Sequence, residues 1–433
     1  MIMNTLKRDI LPTIEEKIIR DGRLTAVVLG LPCVGKSTLL RQLAASRGSG
    51  YILADLSTDR ELRMRILQSV EDSGSDSVLC RIGDFFGLDP VDFQKTMFLL
   101  DGAEYLGEKL ADFLEKHLPD VCLIACDRAD YVPEKASANS VIQYIILRPL
   151  SFSEFLSATG HDDYRGIIRA SVVDGRAIPK LLRDDLEELY YDYLLVGGFP
   201  QPVLQHLSSR ADLPSLRMAH RQVFSTIVQS LSDTELPVKQ EISRVRLGQI
   251  IDYFRNTDPD VFAFRPGSIR RGLCTRDFLT ELQYLCDNGF LIRITPADGS
   301  FGFPSGGSQR HNSDNEEYCI ADSGLLRFLR NDYDAFYSID AEKLPEYILR
   351  QSMYQSCISH GILPSYQKQG RAKRDMQQLV LTDYGESFSI GKKSSLVYRR
   401  FDEEANSDSE NVSDHNIMWF ELDEILSAKK CPK

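Results

Sequence analysis

Between residues 24 and 150, short apolar runs alternate with longer mixed stretches: TAVVLG at 25–30, YILADL at 51–56, MFLLD at 97–101, VCLIAC at 121–126 and VIQYIIL at 141–147. Runs of this length read as buried strands, and the segments between them have room for crossover helices. The alternation predicts a parallel sheet covered by helices. EDSGSDS at 71–77 is polar and predicts a loop. No internal repeat is visible.

From 152 to 240 the pattern turns helical, with LLRDDLEELYYDYLLVGGFPQPVLQHL interrupted by Gly197, Gly198 and Pro200. This predicts a small all-helical subdomain. Next come RLGQIIDYFRN, a linker holding Arg265 and Pro266, and TRDFLTELQYLCDNGFLIRI, which predict helix, helix and strand. The polar stretch PADGSFGFPSGGSQRHNSDNEE then precedes YCIAD. Helices followed by a strand, a long loop and a second strand resemble a winged helix-turn-helix with an extended wing. A generic α+β packing module that touches no nucleic acid fits the same pattern.

In the last hundred residues QQLVLTDYGESFSIGKKSSLVYRRF alternates like paired strands around Tyr384 and Gly385. FDEEANSDSENVSDHN is acidic and poor in apolar residues, which predicts a solvated or disordered loop. Order resumes at IMWFELDEIL, where Trp419 reads as a core residue. The resulting division is 1–155 for an α/β core, 156–240 for a helical subdomain, 241–335 for a winged-helix-like domain and 336–433 for a final α/β domain.

Composition narrows the class. The chain has 433 residues, enough for several cores, and its apolar and charged fractions are those of a globular protein. Nine cysteines form no C-x-x-C pair, and seven histidines supply no metal-site spacing. The N-terminus is charged and amphipathic, and no apolar stretch approaches the roughly 20 residues of a membrane span. The expectation is a cytoplasmic chain with reduced thiols and no membrane partner. A net charge of −12 argues against a surface coated in phosphate contacts, although one local basic face remains compatible with it.

Chemistry concentrates at residues 30–38, GLPCVGKST, a complete G-x-x-x-x-G-K-[ST] phosphate-binding loop between an apolar run and a helical stretch. Gly30 and Gly35 leave no side chain between backbone amides and an anion, so N–H groups from Gly30, Leu31, Pro32, Cys33, Val34 and Gly35 onward can converge on phosphates, Pro32 alone lacking a donor. The helix starting near Lys36 adds its positive end. Lys36 should reach the β and γ phosphates, Ser37 should complete a position on Mg²⁺, and Thr38 should lie near the α phosphate. ATP with Mg²⁺ is the expected ligand pair.

A carboxylate at the end of a neighbouring strand usually shares the metal, and MFLLD supplies Asp101; a plain cap for the following helix is the alternative role. The position after Asp101, where the commonest form of this motif carries Glu, is Gly102. Glu104 could orient the attacking water only if the strand end is reshaped, and otherwise is a surface helix carboxylate. Cys126, Asp127 and Arg128 stand at the tip of the next strand, where a polar residue often senses the γ phosphate. An acid there repels phosphate unless a cation intervenes, so slow hydrolysis or binding alone is credible.

LRPLSFSEFL at 147–156 and YLLVGGFPQPV at 193–203 follow the phosphate loop in an order and spacing that resemble a large prokaryotic family of AAA+-superfamily ATPases. The resemblance is strong over roughly 20–205 and weaker through IADSGLLRFL at 320–329. It implies an α/β fold: a P-loop AAA+-type parallel sheet core with a helical lid, then winged-helix and restriction-endonuclease-like α/β domains. Pro32 and Cys33 replace the family's usual Arg and Gln, Gly102 replaces its Glu, and Ser140 and Val141 replace a Gly-Arg pair.

A nuclease of that final type would need Glu, Asp and Glu-x-Lys. Glu346 and Asp375 suit the first two, but Ile390, Gly391, Lys392 and Lys393 stand where Glu-x-Lys belongs, which implies a non-catalytic scaffold. Its basic residues Lys368, Arg371, Lys373, Arg374, Lys392 and Lys393 could touch phosphate or form a solvated face. Gly197 and Gly198 suit a tight turn with close helix approach, or a nucleotide sensor in the lid. The expected function is an ATP-binding AAA+-type protein with weak or partner-stimulated hydrolysis, switching a DNA- or protein-binding C-terminal half. The alternative is a non-hydrolysing, nucleotide-gated adaptor. A homo-oligomer with an arginine supplied in trans would fit the superfamily, with Arg128 and Arg148 as candidates.

Overall fold

The computed structural model describes residues 6–47, 50–71, 76–116, 118–129, 142–174, 178–209, 212–232, 242–257, 262–296, 316–333, 346–359, 365–368, 377–381, 386–390, 396–400, 413–417 and 421–422. The expectations for Ser140, Val141, the wing loop at 297–315, Arg371, Lys373, Arg374, Asp375, Gly391, Lys392, Lys393 and Trp419 lie outside these residues. The chain divides into two compact units: 1–148 with 221–243 and 287–289, and 149–220 with 244–286 and 290–433. Among the described residues no helix is long and apolar enough to cross a membrane.

The first unit is built on five parallel strands: β1 (Leu24–Leu29), β2 (Tyr51–Asp55), β3 (Met97–Asp101), β4 (Val121–Cys126) and β5 (Ile142–Ile146). All five coincide with the apolar runs of the sequence. Their spatial order is β2-β3-β4-β1-β5, so β4 lies between β1 and β3. The registers pair Leu29 with Cys126 and Asp55 with Asp101, which brings the carboxyl ends of the strands into one row. In an open parallel sheet that row is where ligands bind.

Helices α1 (Ile10–Asp21), α2 (Lys36–Arg47), α3 (Arg60–Glu71), α4 (Asp76–Phe86), α5 (Pro90–Lys95) and α6 (Lys109–Leu114) accompany the sheet. Strands β3 and β4 are buried on both faces, which explains why they read as unbroken apolar runs rather than alternating ones. On one side Phe93, Phe98, Phe113, Leu62 and Ile66 form a core with no exposed surface. Rings of Phe93 and Phe98 meet edge to face at 5.4 Å.

The second unit holds α7 (Phe152–Ala158), α8 (Asp162–Asp174), α9 (Lys180–Val196), α10 (Pro200–Ser209) and the start of α11 (Leu213–Leu231). It continues through α12 (Arg244–Asn256), α13 (Leu279–Asp287), α14 (Ser323–Arg330) and α15 (Glu346–Ser359). Strands β6 (Leu291–Pro296) and β7 (Glu317–Ile320) form the hairpin expected around the wing loop. They share one seven-stranded sheet with β8 (Ser365–Lys368), β9 (Gln377–Leu381), β10 (Glu386–Ile390), β11 (Leu396–Arg400) and β12 (Ser413–Ile417), in the order β12-β11-β10-β9-β8-β6-β7. The β6–β8 pair is parallel and short, Thr295 with Ser365 and Pro296 with Tyr366. Strands from either side of residue 335 therefore belong to one sheet.

Three sequence motifs meet in this unit. Ser151 caps α7 in a capping box with Glu154, each side chain accepting from the other's backbone N–H at 3.2 Å. One residue earlier, the Leu150 N–H donates to the Gly198 carbonyl at 2.7 Å, and the Tyr193 hydroxyl donates to the Leu150 carbonyl at 2.9 Å. A Cβ on Gly198 would stand 2.3 Å from that carbonyl oxygen, so only glycine allows the two backbones to meet. From the other side Asp322, capping α14 through the Leu325 N–H at 2.9 Å, accepts the Gly198 N–H at 2.7 Å. Burial raises the Asp322 carboxyl to about 6, against the backbone donors of Gly198, Leu325 and Gly324. His220 closes the node, its ring nitrogens 2.7 Å from the Tyr333 hydroxyl and 2.8 Å from the Val196 carbonyl. These contacts account for the Gly197–Gly198 turn as a packing element within the unit.

Candidate functional site

The phosphate loop runs from the end of β1 into α2, where the sequence expects it. Its backbone is drawn against the segment after β5: the Leu147 N–H donates to Leu29 at 2.7 Å, and a Cβ on Gly30 would stand 2.3 Å from the Leu147 carbonyl oxygen. Cys33 takes the left-handed conformation with φ 67°, which costs a non-glycine residue on the order of 1 kcal/mol. Burial raises its thiol pKa, while the Thr226 side chain hydrogen-bonds to it. The thiol is therefore protonated at neutral pH. Within the loop Leu31, Pro32 and Val34 are buried, and Gly35, Ser37 and Thr38 are partly exposed.

Lys36 is buried and donates to the Gly30 carbonyl at 2.8 Å and the Leu31 carbonyl at 2.7 Å. It also pairs with Asp127 Oδ1 at 2.5 Å. Ser37, in the first turn of α2, donates its hydroxyl to Asp101 at the end of β3, although β4 separates β3 from the β1 strand that precedes the loop. Burial raises the Asp101 carboxyl above its ordinary range, helped by the charges of Asp55 and Asp127 and opposed by Ser37 and Lys36. Among the described residues no cluster of three or more His, Cys, Asp or Glu could hold a metal alone. One carboxylate plus one hydroxyl fits Mg²⁺, which keeps most of its waters and takes few protein ligands.

Gly102 replaces the acid that usually follows Asp101, and its φ of 74° turns the chain sharply into a short 3-10 helix, Ala103–Leu106. That turn carries Glu104 back under the strand ends. Glu104 is buried, not on a helix surface, and its Oε2 accepts the Asp127 N–H at 3.0 Å. Burial and the charge of Asp127 push its carboxyl up to about 7, against the Asp127 N–H donor and Lys36. The acid two places further along the chain thus sits among the same groups as the loop lysine. Such a pKa suits proton transfer near neutral pH.

Sequence reasoning missed Arg8. From just before α1 it donates to the Val34 carbonyl at 2.9 Å and to the Arg148 carbonyl at 2.7 Å, tying the phosphate loop to the end of the β5 segment. No motif announces it, because its partners are main-chain atoms 26 and 140 residues away. Asp55 was missed as well; it closes the end of β2 by accepting from the Ser57 N–H and hydroxyl at 2.8 and 2.6 Å. Arg128, a candidate to act in trans, is fully buried and donates to the Ser230 carbonyl at 3.4 Å. A side chain so enclosed does not present itself to a neighbouring subunit. Arg148 is partly exposed, and its backbone carbonyl serves Arg8.

No family model matches the chain, and comparison with curated proteins finds no match. Among solved structures it is similar to a Signal Transduction ATPase with Numerous Domains (STAND) protein with a tetratricopeptide repeat sensor from Pyrococcus horikoshii. That likeness has 13% identity and a TM-score of 0.28, over 80% of this chain and 45% of that one. It is also similar to Drosophila ORC bound to DNA, with 14% identity and a TM-score of 0.27, over 76% of this chain and 96% of that one. The chain spans less than half the length of the first of these structures. At such TM-scores neither likeness carries weight for function.

Proposed function

We propose that this chain binds Mg·ATP as an AAA+-type protein and that nucleotide governs the binding activity of its C-terminal half. The observation that carries the reading is the Ser37–Asp101 hydrogen bond beside a buried Lys36, on a complete phosphate loop at the carboxyl edge of a parallel sheet. Residues Gly30 to Thr38 cradle the phosphates. Ser37 and Asp101 are the residues that would hold Mg²⁺, which when bound neutralises phosphate charge.

Glu104 is the group that positions water if the site hydrolyses ATP. Phosphate release with Mg·ATP tests this, and Glu104→Gln should lower turnover about a hundredfold or more while leaving ATP affinity within a few-fold. Turnover in the unsubstituted protein should rise with pH through about 7, as the Glu104 carboxyl loses its proton. Calorimetric binding without phosphate release would instead support the non-hydrolysing adaptor. The specific observation favouring that second reading is that Glu104 is already engaged by the Asp127 N–H. Absence of Mg·ATP binding would overturn both.

For the C-terminal half we propose contact with nucleic-acid phosphates through the winged-helix-like segment, residues 241–335. Arg265, Arg270, Arg271 and Arg276 are exposed on the connection between α12 and α13 and at the start of α13's preceding turn. Arg246 on α12 and Arg276 both lie beside Asp277, and the rings of Tyr253, Phe264 and Phe278, meeting edge to face in turn, hold helix, connection and turn together. Anisotropy of labelled duplex DNA at two salt concentrations tests the surface. Arg270→Ala with Arg271→Ala should weaken binding and reduce the salt slope by about one unit for each phosphate contact removed. No duplex binding at low salt would point to a protein partner. The final segment, 336–433, is proposed as a non-catalytic scaffold, and self-association as the route by which an arginine would reach the site in trans.

A further inference from the structure

An ammonium group has three N–H donors, and all three on Lys36 are in use. Two go to the Gly30 and Leu31 carbonyls at 2.8 and 2.7 Å, and the third faces Asp127 Oδ1 at 2.5 Å. The Lys36 side chain is 4% exposed, so water has almost no access to it. A phosphate oxygen can therefore reach Lys36 only in exchange for one of these acceptors. The two carbonyls are backbone of the phosphate loop, whose path is set by the close contact of Gly30 with Leu147. The Asp127 side chain is 31% exposed and hangs from a backbone whose N–H is held by Glu104 at 3.0 Å. Of the three acceptors it is the one that rotates away without moving the main chain.

We infer that Asp127 is a built-in competitor for the phosphate-binding lysine and determines how tightly, and which, phosphates bind. This rests on the reading of Gly30 to Thr38 as a nucleotide site. With no nucleotide present the carboxylate stands in for a phosphate oxygen: it compensates the buried ammonium and keeps Lys36 in the loop. An incoming anion must displace a carboxylate that is already in contact and loses no association entropy. A polyphosphate with several charges spread over the loop amides meets that demand, whereas a single phosphate group, reaching only part of the loop, does not. Once displaced, the Asp127 charge lies close to the anion that replaced it, and this repulsion persists in the complex.

Removing the charge should therefore tighten binding, whereas removing a ligand-contacting group weakens it. Asp127→Asn keeps the shape and the backbone N–H that Glu104 accepts. It should tighten Mg·ATP binding about tenfold by calorimetry, and should narrow the preference for ATP over AMP. The nucleotide-free variant should melt lower than the unsubstituted protein, because Lys36 has lost its counter-charge, and the rise in melting temperature on adding ATP should be larger. Asp127→Ser provides the same test if the Asn variant misfolds, since it also removes the charge.

If the unsubstituted protein binds Mg·ATP and neither variant binds it more tightly, the competitor role is overturned while the nucleotide site stands. If neither the unsubstituted protein nor the variants bind Mg·ATP, the site reading fails and takes this inference with it. Binding that appears only on removing Asp127 would support both.

Discussion

Lys36→Ala is expected to reduce Mg·ATP affinity by about a hundredfold or more while the protein remains folded. A charge-assisted hydrogen bond to phosphate contributes about 1.5–3 kcal/mol, and the one donor that Asp127 vacates, acting with the ammonium charge in a site closed to water, reaches a loss of that size. Lys36 is buried at the mouth of the loop, so its charge acts where solvent screening is weak. The fold should tolerate the loss. Asp127 is 31% exposed and can hydrate, and the Gly30 and Leu31 carbonyls lose one donor each without a charge being stranded in the core. Calorimetry with Mg·ATP, beside circular dichroism and a thermal melt, separates the two effects. Undiminished affinity in a folded Lys36→Ala protein would mean that the nucleotide, if any, binds elsewhere.

Gly198→Ala is expected to destabilise the second unit by about 3 kcal/mol or more, with partial loss of soluble protein. The added Cβ would stand 2.3 Å from the Leu150 carbonyl oxygen, 2.7 Å from the Leu150 nitrogen and 2.9 Å from Pro149 Cβ. Two of these neighbours are backbone, so no rotamer change relieves the clash. Separating the segments breaks the Leu150–Gly198 hydrogen bond at 2.7 Å. It also threatens the Gly198 N–H contact to Asp322, which would leave a buried carboxylate short of a donor. Gly248→Ala is the matching control. Gly248 lies within α12, and a Cβ there meets nothing within 4 Å, so alanine should stabilise by up to about 1 kcal/mol. Equal denaturation midpoints for the two variants would remove the Gly198 contact from the account of this unit's stability.

Much of the first unit was legible because its signals are local. Five apolar runs became five parallel strands, since a strand buried on both faces must be apolar throughout and its crossover must be long. The G-x-x-x-x-G-K-S loop was legible for a similar reason: its glycines, lysine and serine fall within nine consecutive residues. Asp101 was singled out by its place at the end of an apolar strand, and the structure places it in hydrogen-bond contact with Ser37. In the second unit the β6–β7 hairpin was also readable from two apolar strands around a polar stretch. Its extension by β8 to β12 was not, because pairing between distant strands leaves no mark at either strand alone.

What the sequence by itself determined is the alternation of strands and helices in the first unit, the phosphate loop and the acid that faces it. These depend on residue type and spacing over a few turns of chain. Only the tertiary structure decided that Glu104 is buried against the Asp127 N–H, that Arg8 ties the loop to the Arg148 carbonyl, and that Arg128 is enclosed. It also decided that Lys36 already has a carboxylate partner. The reason is that burial and charge pairing depend on which strand ends are neighbours. With β4 set between β1 and β3, residues 36, 101, 104 and 127 share one edge of the sheet, and their partners, like the raised carboxyls of Asp101 and Glu104, derive from that proximity rather than from their order in the chain.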